Sequence, residues 1–192
     1  LLKRIHVFAD RMYLNKLETP YFINSNEDLS SFFRSDKKSF FQTTFYKQQR
    51  VKHNVLMEND GNPTGGKWTY DMDNRKKYPK GKKPPVIESP LSNRYFEEAF
   101  AYVESFFKDH PGIIDKNRIY PITFEESALW LENFLHERFN EFGIYEDAIV
   151  KEEIFLNHSL LSPLMNVGLI SPKGVINESL LFAQKQDIPL NS

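Results

Sequence analysis

The chain has 192 residues, with 25 Lys and Arg against 26 Asp and Glu, five His and no Cys. A net charge of −1 argues against a uniformly basic nucleic-acid coat protein. The lack of cysteine excludes a disulfide framework, a thiolate-held metal or iron–sulfur site and a thiol nucleophile within these residues. Seventeen Phe are enough to build a sizeable core, and no apolar run approaches the ~18 residues of a membrane span. The first residues, Leu1-Leu2-Lys3-Arg4-Ile5, carry neither an initiator Met nor a signal-peptide core, and Asp187-Ile188-Pro189-Leu190-Asn191-Ser192 reads as a loop. These features lead us to expect a cytoplasmic protein, of which this chain is an internal piece.

In chain order, Ile5-His6-Val7-Phe8 and Tyr21-Phe22-Ile23 are short β-prone runs. Asn24-Ser25-Asn26, followed by Glu27 and Asp28, predicts a capped helix over about 27–34. Residues 38–57 carry Phe40, Phe41, Thr44, Phe45, Val51, Val55 and Leu56 at spacings that suit an amphipathic helix, with Lys47, Arg50 and Lys52 on its polar face. Residues 58–92 hold 4 of the 8 Gly and 5 of the 11 Pro, and residues 67–83 hold seven basic side chains against Asp71 and Asp73. That +5 segment leaves −6 on the rest of the chain, and we read 58–92 as a basic interdomain linker.

Beyond it the pattern is helical. Phe96, Phe100, Val103 and Phe107 mark a helix over 93–109 that ends at Pro111-Gly112. Thr123 with Glu126 forms a capping box for a helix whose core face is Phe124, Ala128, Leu131 and Leu135, with Gly143 at the C′ position. His158–Val167 is expected to be helical, with Gly168 beyond it, and Ser171-Pro172 starts a further helix. The expected organisation is mostly α with a small α/β N-terminal part: 1–57, a linker over 58–92, and an all-helical unit over 93–192.

Two segments carry candidate chemistry. In Leu156-Asn157-His158-Ser159-Leu160-Leu161-Ser162-Pro163, serines at i and i+3 stand at an expected helix N-terminus, where backbone N–H groups, hydroxyls and the helix dipole favour a phosphate. An ordinary capped helix explains the same residues. Gly65-Gly66-Lys67-Trp68-Thr69-Tyr70-Asp71-Met72-Asp73-Asn74-Arg75 lacks P-loop spacing. It reads either as a stacking and phosphate-contact surface for nucleic acid or as a linker pinned by Trp68. The five His show no metal-binding spacing, and no nucleophile elbow or dinucleotide fingerprint occurs.

The 65–75 segment resembles a signature of the deoxyribodipyrimidine photolyase-related proteins, the iron–sulfur bacterial cryptochromes and (6-4) photolyases. Three further blocks agree in order: Phe45-Tyr46-Lys47-Gln48-Gln49-Arg50, Phe142-Gly143-Ile144-Tyr145-Glu146-Asp147-Ala148, and Leu156-Asn157-His158-Ser159-Leu160-Leu161-Ser162. The resemblance spans about residues 20–175. It implies the end of a Rossmann-like antenna domain, the linker, and the first helices of a helical FAD-binding domain. It further implies blue-light-driven electron transfer from reduced FAD to a pyrimidine photoproduct, of the (6-4) kind, in ultraviolet-damaged DNA. His158, Ser159, Leu160, Leu161 and Ser162 would hold the FAD phosphates, with Tyr145 as a further flavin contact. His158 stands where other photolyase classes carry Thr. The family's lumazine-type antenna belongs to the α/β domain. The four cysteines of its iron–sulfur cluster fall in a region beyond Ser192. A light-sensing cryptochrome without repair activity shares these motifs, and a non-enzymatic helical nucleic-acid-binding module using 67–83 is the competing class.

Overall fold

A computed structural model of the chain describes Tyr13, Asn15 and residues 17–192. The β-prone run at 5–8 lies outside the described residues. Among them are seven α-helices, two 3-10 turns and no strand, only an isolated antiparallel bridge between Met57 and Pro63. No helix among them is long and apolar enough to cross a membrane.

Tyr21-Phe22-Ile23 is not a strand but part of a turn and bend. β-propensity acts through neighbouring strands, and none of the described residues offers one. Helix α1 (Asn26–Phe32) begins as its sequence predicts. The Ser25 hydroxyl accepts from Asp28 N–H at 3.2 Å, and the Asp28 carboxylate accepts from Ser25 N–H at 2.9 Å. Helix α2 (Gln42–His53) is shorter than the 38–57 pattern and closes on Asn54 in the left-handed region (φ 51°). The two helices meet through rings: Phe32 and Phe33 each lie 5.0–5.2 Å from Phe45, and Phe33 lies 5.2 Å from Phe40. Phe41 and Val51, expected on the apolar face, are exposed.

Helix α3 (Arg94–Phe106) starts at Asn93, whose side chain accepts from the N–H groups of Tyr95 and Phe96. Helix α4 (Phe124–Glu137) starts at Thr123, which accepts from Glu126 N–H at 3.2 Å. Glu126 does not complete the reciprocal box. Its carboxylate accepts from Ile122 N–H and takes both terminal nitrogens of the buried Arg118 at 2.8 Å. Asn93 donates to the same carboxylate, and Arg118 also donates to the Leu91 carbonyl. One carboxylate thus joins the starts of α3 and α4. The buried face of α4 is Ser127, Trp130, Leu131, Phe134 and Leu135. It is rotated from the expected one, because Phe124 faces solvent and Trp130 and Phe134 turn inward.

Gly143 is not a helix C′ residue. Helix α4 ends at Arg138, a 3-10 turn follows (Phe139–Glu141), and Gly143 sits inside α5 (Phe142–Tyr145). Glycine is required there for space, since a Cβ would lie 1.5 Å from the Asn191 carbonyl oxygen. The expected His158–Val167 helix is reduced to α6 (Ser162–Asn166). Pro163 has no N–H to bond the Ser159 carbonyl, and its ring would clash with that carbonyl in a helix begun earlier. Gly168 follows with φ 80°, and its N–H bonds the Met165 carbonyl. Helix α7 (Pro172–Gln186) is capped by Ser171, as expected. The main core gathers Trp130, Leu131, Phe134, Leu135, Phe139, Leu161 and Leu164, with Val175, Phe182 and Ile188 packed against it.

The Arg118 guanidinium, first among the causes, holds the Glu126 carboxyl down at about 2. A depressed carboxyl contributes stability above its unfolded value, here 4.5, which is lost as pH falls toward about 2. At a carboxylate still 27 % exposed, screening brings the contribution to about 1–2 kcal/mol. Urea titrations from pH 6 to pH 2 are expected to show that loss, and Glu126→Gln should flatten the profile across this window.

Candidate functional site

The 156–162 segment is a loop laid over the end of α4. Arg138, 3 % exposed, donates from Nε to the His158 carbonyl at 3.1 Å and lies 5.7 Å from the Phe134 ring centre. Burial pushes its guanidinium below its ordinary value, although arginine remains charged in proteins. The His158 Nδ1 accepts from Leu156 N–H at 3.1 Å, so the hydrogen of the neutral ring is on Nε2. The ring caps its own loop. Leu160 adopts a left-handed backbone (φ 58°), a conformation that costs a branched residue about 1–2 kcal/mol. Burial of Leu161 in the core, with Leu160 packed against it, holds that turn.

The structure distributes the six residues singled out by sequence among different duties. Leu160 and Leu161 pack in or against the core. His158 uses its ring nitrogen and its carbonyl within the protein. Ser159 is half-buried and Ser162 is exposed as the first residue of α6. Tyr145 is buried in a second cluster with Ala148 and Leu156, which brings it beside the start of the loop. Its ring centre lies 4.7 Å from that of Tyr78, and Lys82, ion-paired to Glu141, sits 4.9 Å above it. Burial pushes the Tyr78 hydroxyl above its ordinary value.

Sequence reasoning missed Arg138 at this site and gave Asn157, named within the motif, no separate role. Asn157 is 2 % exposed, and its Oδ1 has no hydrogen-bond partner among the described residues. Arg138 carries the loop's carbonyl. An Arg at a helix end reads as surface, and nothing in the motif signals the burial of its Asn.

The 65–75 segment closes over α2. Arg50, expected on a polar face, is 5 % exposed and reaches the carbonyls of Val55 (3.2 Å), Leu56 (2.5 Å), Lys67 (3.4 Å) and Trp68 (3.0 Å). The Trp68 ring is occupied by Arg50 and Lys47, each 5.6 Å from its centre. Asp71 holds Arg75 at 2.9 Å and Asp73 holds Lys67 at 3.2 Å. Asn74 exchanges hydrogen bonds with Asn191 at 2.9 and 3.0 Å. Farther on, Lys76 N–H donates to the Ile144 carbonyl, and Ile87 packs on the core.

A family model for deoxyribodipyrimidine photo-lyase-related proteins matches residues 1–119, more than half of the chain. The chain belongs to that family. It is 29 % identical over 156 residues to a (6-4) photolyase of Agrobacterium fabrum (strain C58 / ATCC 33970), a match covering 81 % of this chain and 30 % of that protein. It is 43 % identical over 86 residues to an uncharacterised protein of Acanthamoeba polyphaga mimivirus, covering 41 % of this chain and 42 % of the relative. The chain therefore spans less than half the length of either curated relative.

Removing the Arg50 guanidinium strands four carbonyls. Arg50→Met is expected to cost about 3 kcal/mol, and Arg50→Lys should recover less than half, since an ammonium cannot reproduce the planar fork. Urea unfolding checks this: parent-like stability in both variants would show that the carbonyl cage contributes nothing.

Proposed function

We propose that this chain forms part of a flavin-dependent photolyase acting on pyrimidine photoproducts, of the (6-4) kind, in ultraviolet-damaged DNA. The observation that carries the reading is the similarity to a (6-4) photolyase over 81 % of the chain, within a family whose model matches residues 1–119. In this reading residues 1–57 end an α/β antenna domain, 58–92 link it onward, and 93–192 begin the FAD-binding domain of a cytoplasmic enzyme.

The 156–162 loop fits the phosphate end of FAD. Ser159 and Ser162 are uncommitted to other protein groups among the described residues, and the cationic Arg138 lies beneath. Ser159 and Ser162 would donate to phosphate oxygens, His158 and Leu161 would fix the loop, and Tyr145 would flank it on the Tyr78 side. When bound, reduced FAD supplies the light-driven electron for repair. A thiolate-held iron–sulfur cluster does not fit these residues, because the chain contains no cysteine. A lumazine-type antenna belongs, in the same reading, to the α/β domain.

The test uses the full-length protein. Ser159→Ala and Ser162→Ala should each weaken FAD binding by about 1–3 kcal/mol, the scale of a lost charge-assisted hydrogen bond. The readout is the flavin absorbance retained per polypeptide after gel filtration. Unchanged retention in both variants would remove the loop from the FAD site, and a parent protein that takes up no flavin would remove the flavin reading itself.

A further inference from the structure

Arg138 holds the 156–162 loop with one nitrogen and lines a separate space with the rest of its side chain. Residues 86–88 and the C-terminal half of α4 enclose a cavity of about 490 Å³, a volume that holds a small organic ligand. No residue of the 156–162 loop lines it. Of the Arg138 guanidinium only Nε has a protein acceptor, the His158 carbonyl. The terminal nitrogens Nη1 and Nη2 take no acceptor among the described residues, and neighbouring atoms do not seal them off. Glu137, the acid beside Arg138 in sequence, acts on its charge through space without a hydrogen bond. A guanidinium held out of water with free donors is costly until acceptors reach it. Its two terminal nitrogens are the planar fork that grips a carboxylate in parallel hydrogen bonds.

The remaining lining says what else the ligand carries. Glu88 and Glu137 line the same cavity, and both are exposed. Neither forms an ion pair among the described residues. Two carboxylates beside the cavity repel a simple anion and attract an ammonium group. A ligand that answers both the buried guanidinium and the exposed acids is therefore amphoteric. The wall also offers apolar surface: Trp130 is buried there, Ile87 packs against the core, and Val86 is exposed.

We propose that this cavity binds an α-amino acid with an apolar side chain. The ligand carboxylate takes the Arg138 terminal nitrogens, its ammonium meets Glu88 and Glu137, and its side chain lies on Trp130, Ile87 and Val86. The site works whether or not flavin occupies the loop, since Arg138 alone is common to the two.

Three probes separate the contacts in the full-length protein: L-phenylalanine, 3-phenylpropanoate, which lacks the ammonium, and 2-phenylethylamine, which lacks the carboxylate. Binding is read by isothermal titration calorimetry. Phenylalanine should bind about tenfold more tightly than either of the others, the scale of one charge-assisted contact. The Glu88→Gln, Glu137→Gln double variant should bring phenylalanine down to the level of phenylpropanoate and leave phenylpropanoate no weaker. Arg138→Met should bring phenylalanine down to the level of phenylethylamine. Far-UV circular dichroism matching the parent checks that each variant is folded. Because both acids are exposed, the double variant and the three probes on the parent suffice if Arg138→Met fails that check. Undetectable phenylalanine binding, or equal affinity for the three probes, overturns the proposal. So does phenylalanine binding that ignores the double variant and is lost in the Ser159→Ala, Ser162→Ala pair, which would put the amino acid on the loop. Flavin absorbance per polypeptide, measured on the same samples, reports separately on the flavin reading.

Discussion

A guanidinium taken out of water must find hydrogen-bond acceptors, and in this chain three buried arginines find theirs in three ways, with only the Arg118 Nε among the buried arginine nitrogens left without a partner among the described residues. Arg50 is caged by carbonyls, Arg118 is clasped by a carboxylate, and Arg138 holds one carbonyl over an aromatic ring. Each lies where chain without regular structure must be fixed against a helix. Arg50 binds the 65–75 segment to α2, Arg118 sets the starts of α3 and α4, and Arg138 seats the candidate cofactor loop on the end of α4. With no strand among the described residues, no ladder of main-chain bonds fixes these loops, and buried side-chain forks take that part.

The same economy explains the basic segment. Its sequence charge of +5 suggests an open cationic surface, yet Lys67, Arg75 and Lys82 each find a carboxylate, and the Trp68 face is covered by Arg50 and Lys47. The cations of 67–83 that pair with no acid among the described residues are Lys76, Lys77, Lys80 and Lys83. A charge total therefore overstates the field that this segment presents to an approaching polyanion.

Local grammar was legible in the sequence, and long-range demand was not. Ser25, Thr123 and Ser171 cap helices where their neighbours said they would, because a cap is decided within about four residues. The loop at 157–161 escaped because serine spacing suggested a helix, while Pro163 forbids its first turn. Arg50 escaped because the carbonyls that receive it come from residues 55–68, and helical periodicity carries no information about them. Gly143 was read as a backbone device, whereas its role is to leave room for a main chain nearly fifty residues away. In the candidate site, the serines and Tyr145 were visible as residue types. Arg138, which gives the loop its charge, was invisible, and so was the burial of Asn157.

The reciprocal bonds between Asn74 and Asn191 join positions 117 residues apart. Such a closure pays a chain-entropy cost that only already-packed intervening structure reduces. Helices α4 to α7 can assemble through contacts of much shorter span, and the Asn74–Asn191 pair can form only after they have placed residue 191 against Gly143. The Asn74 end of the glycine-pair segment thereby becomes one of the last parts to settle. During synthesis Asn74 waits for more than a hundred residues to emerge before it finds its partner, whereas the tryptophan and the paired cations beside it meet partners from residues 47–73 that are already made.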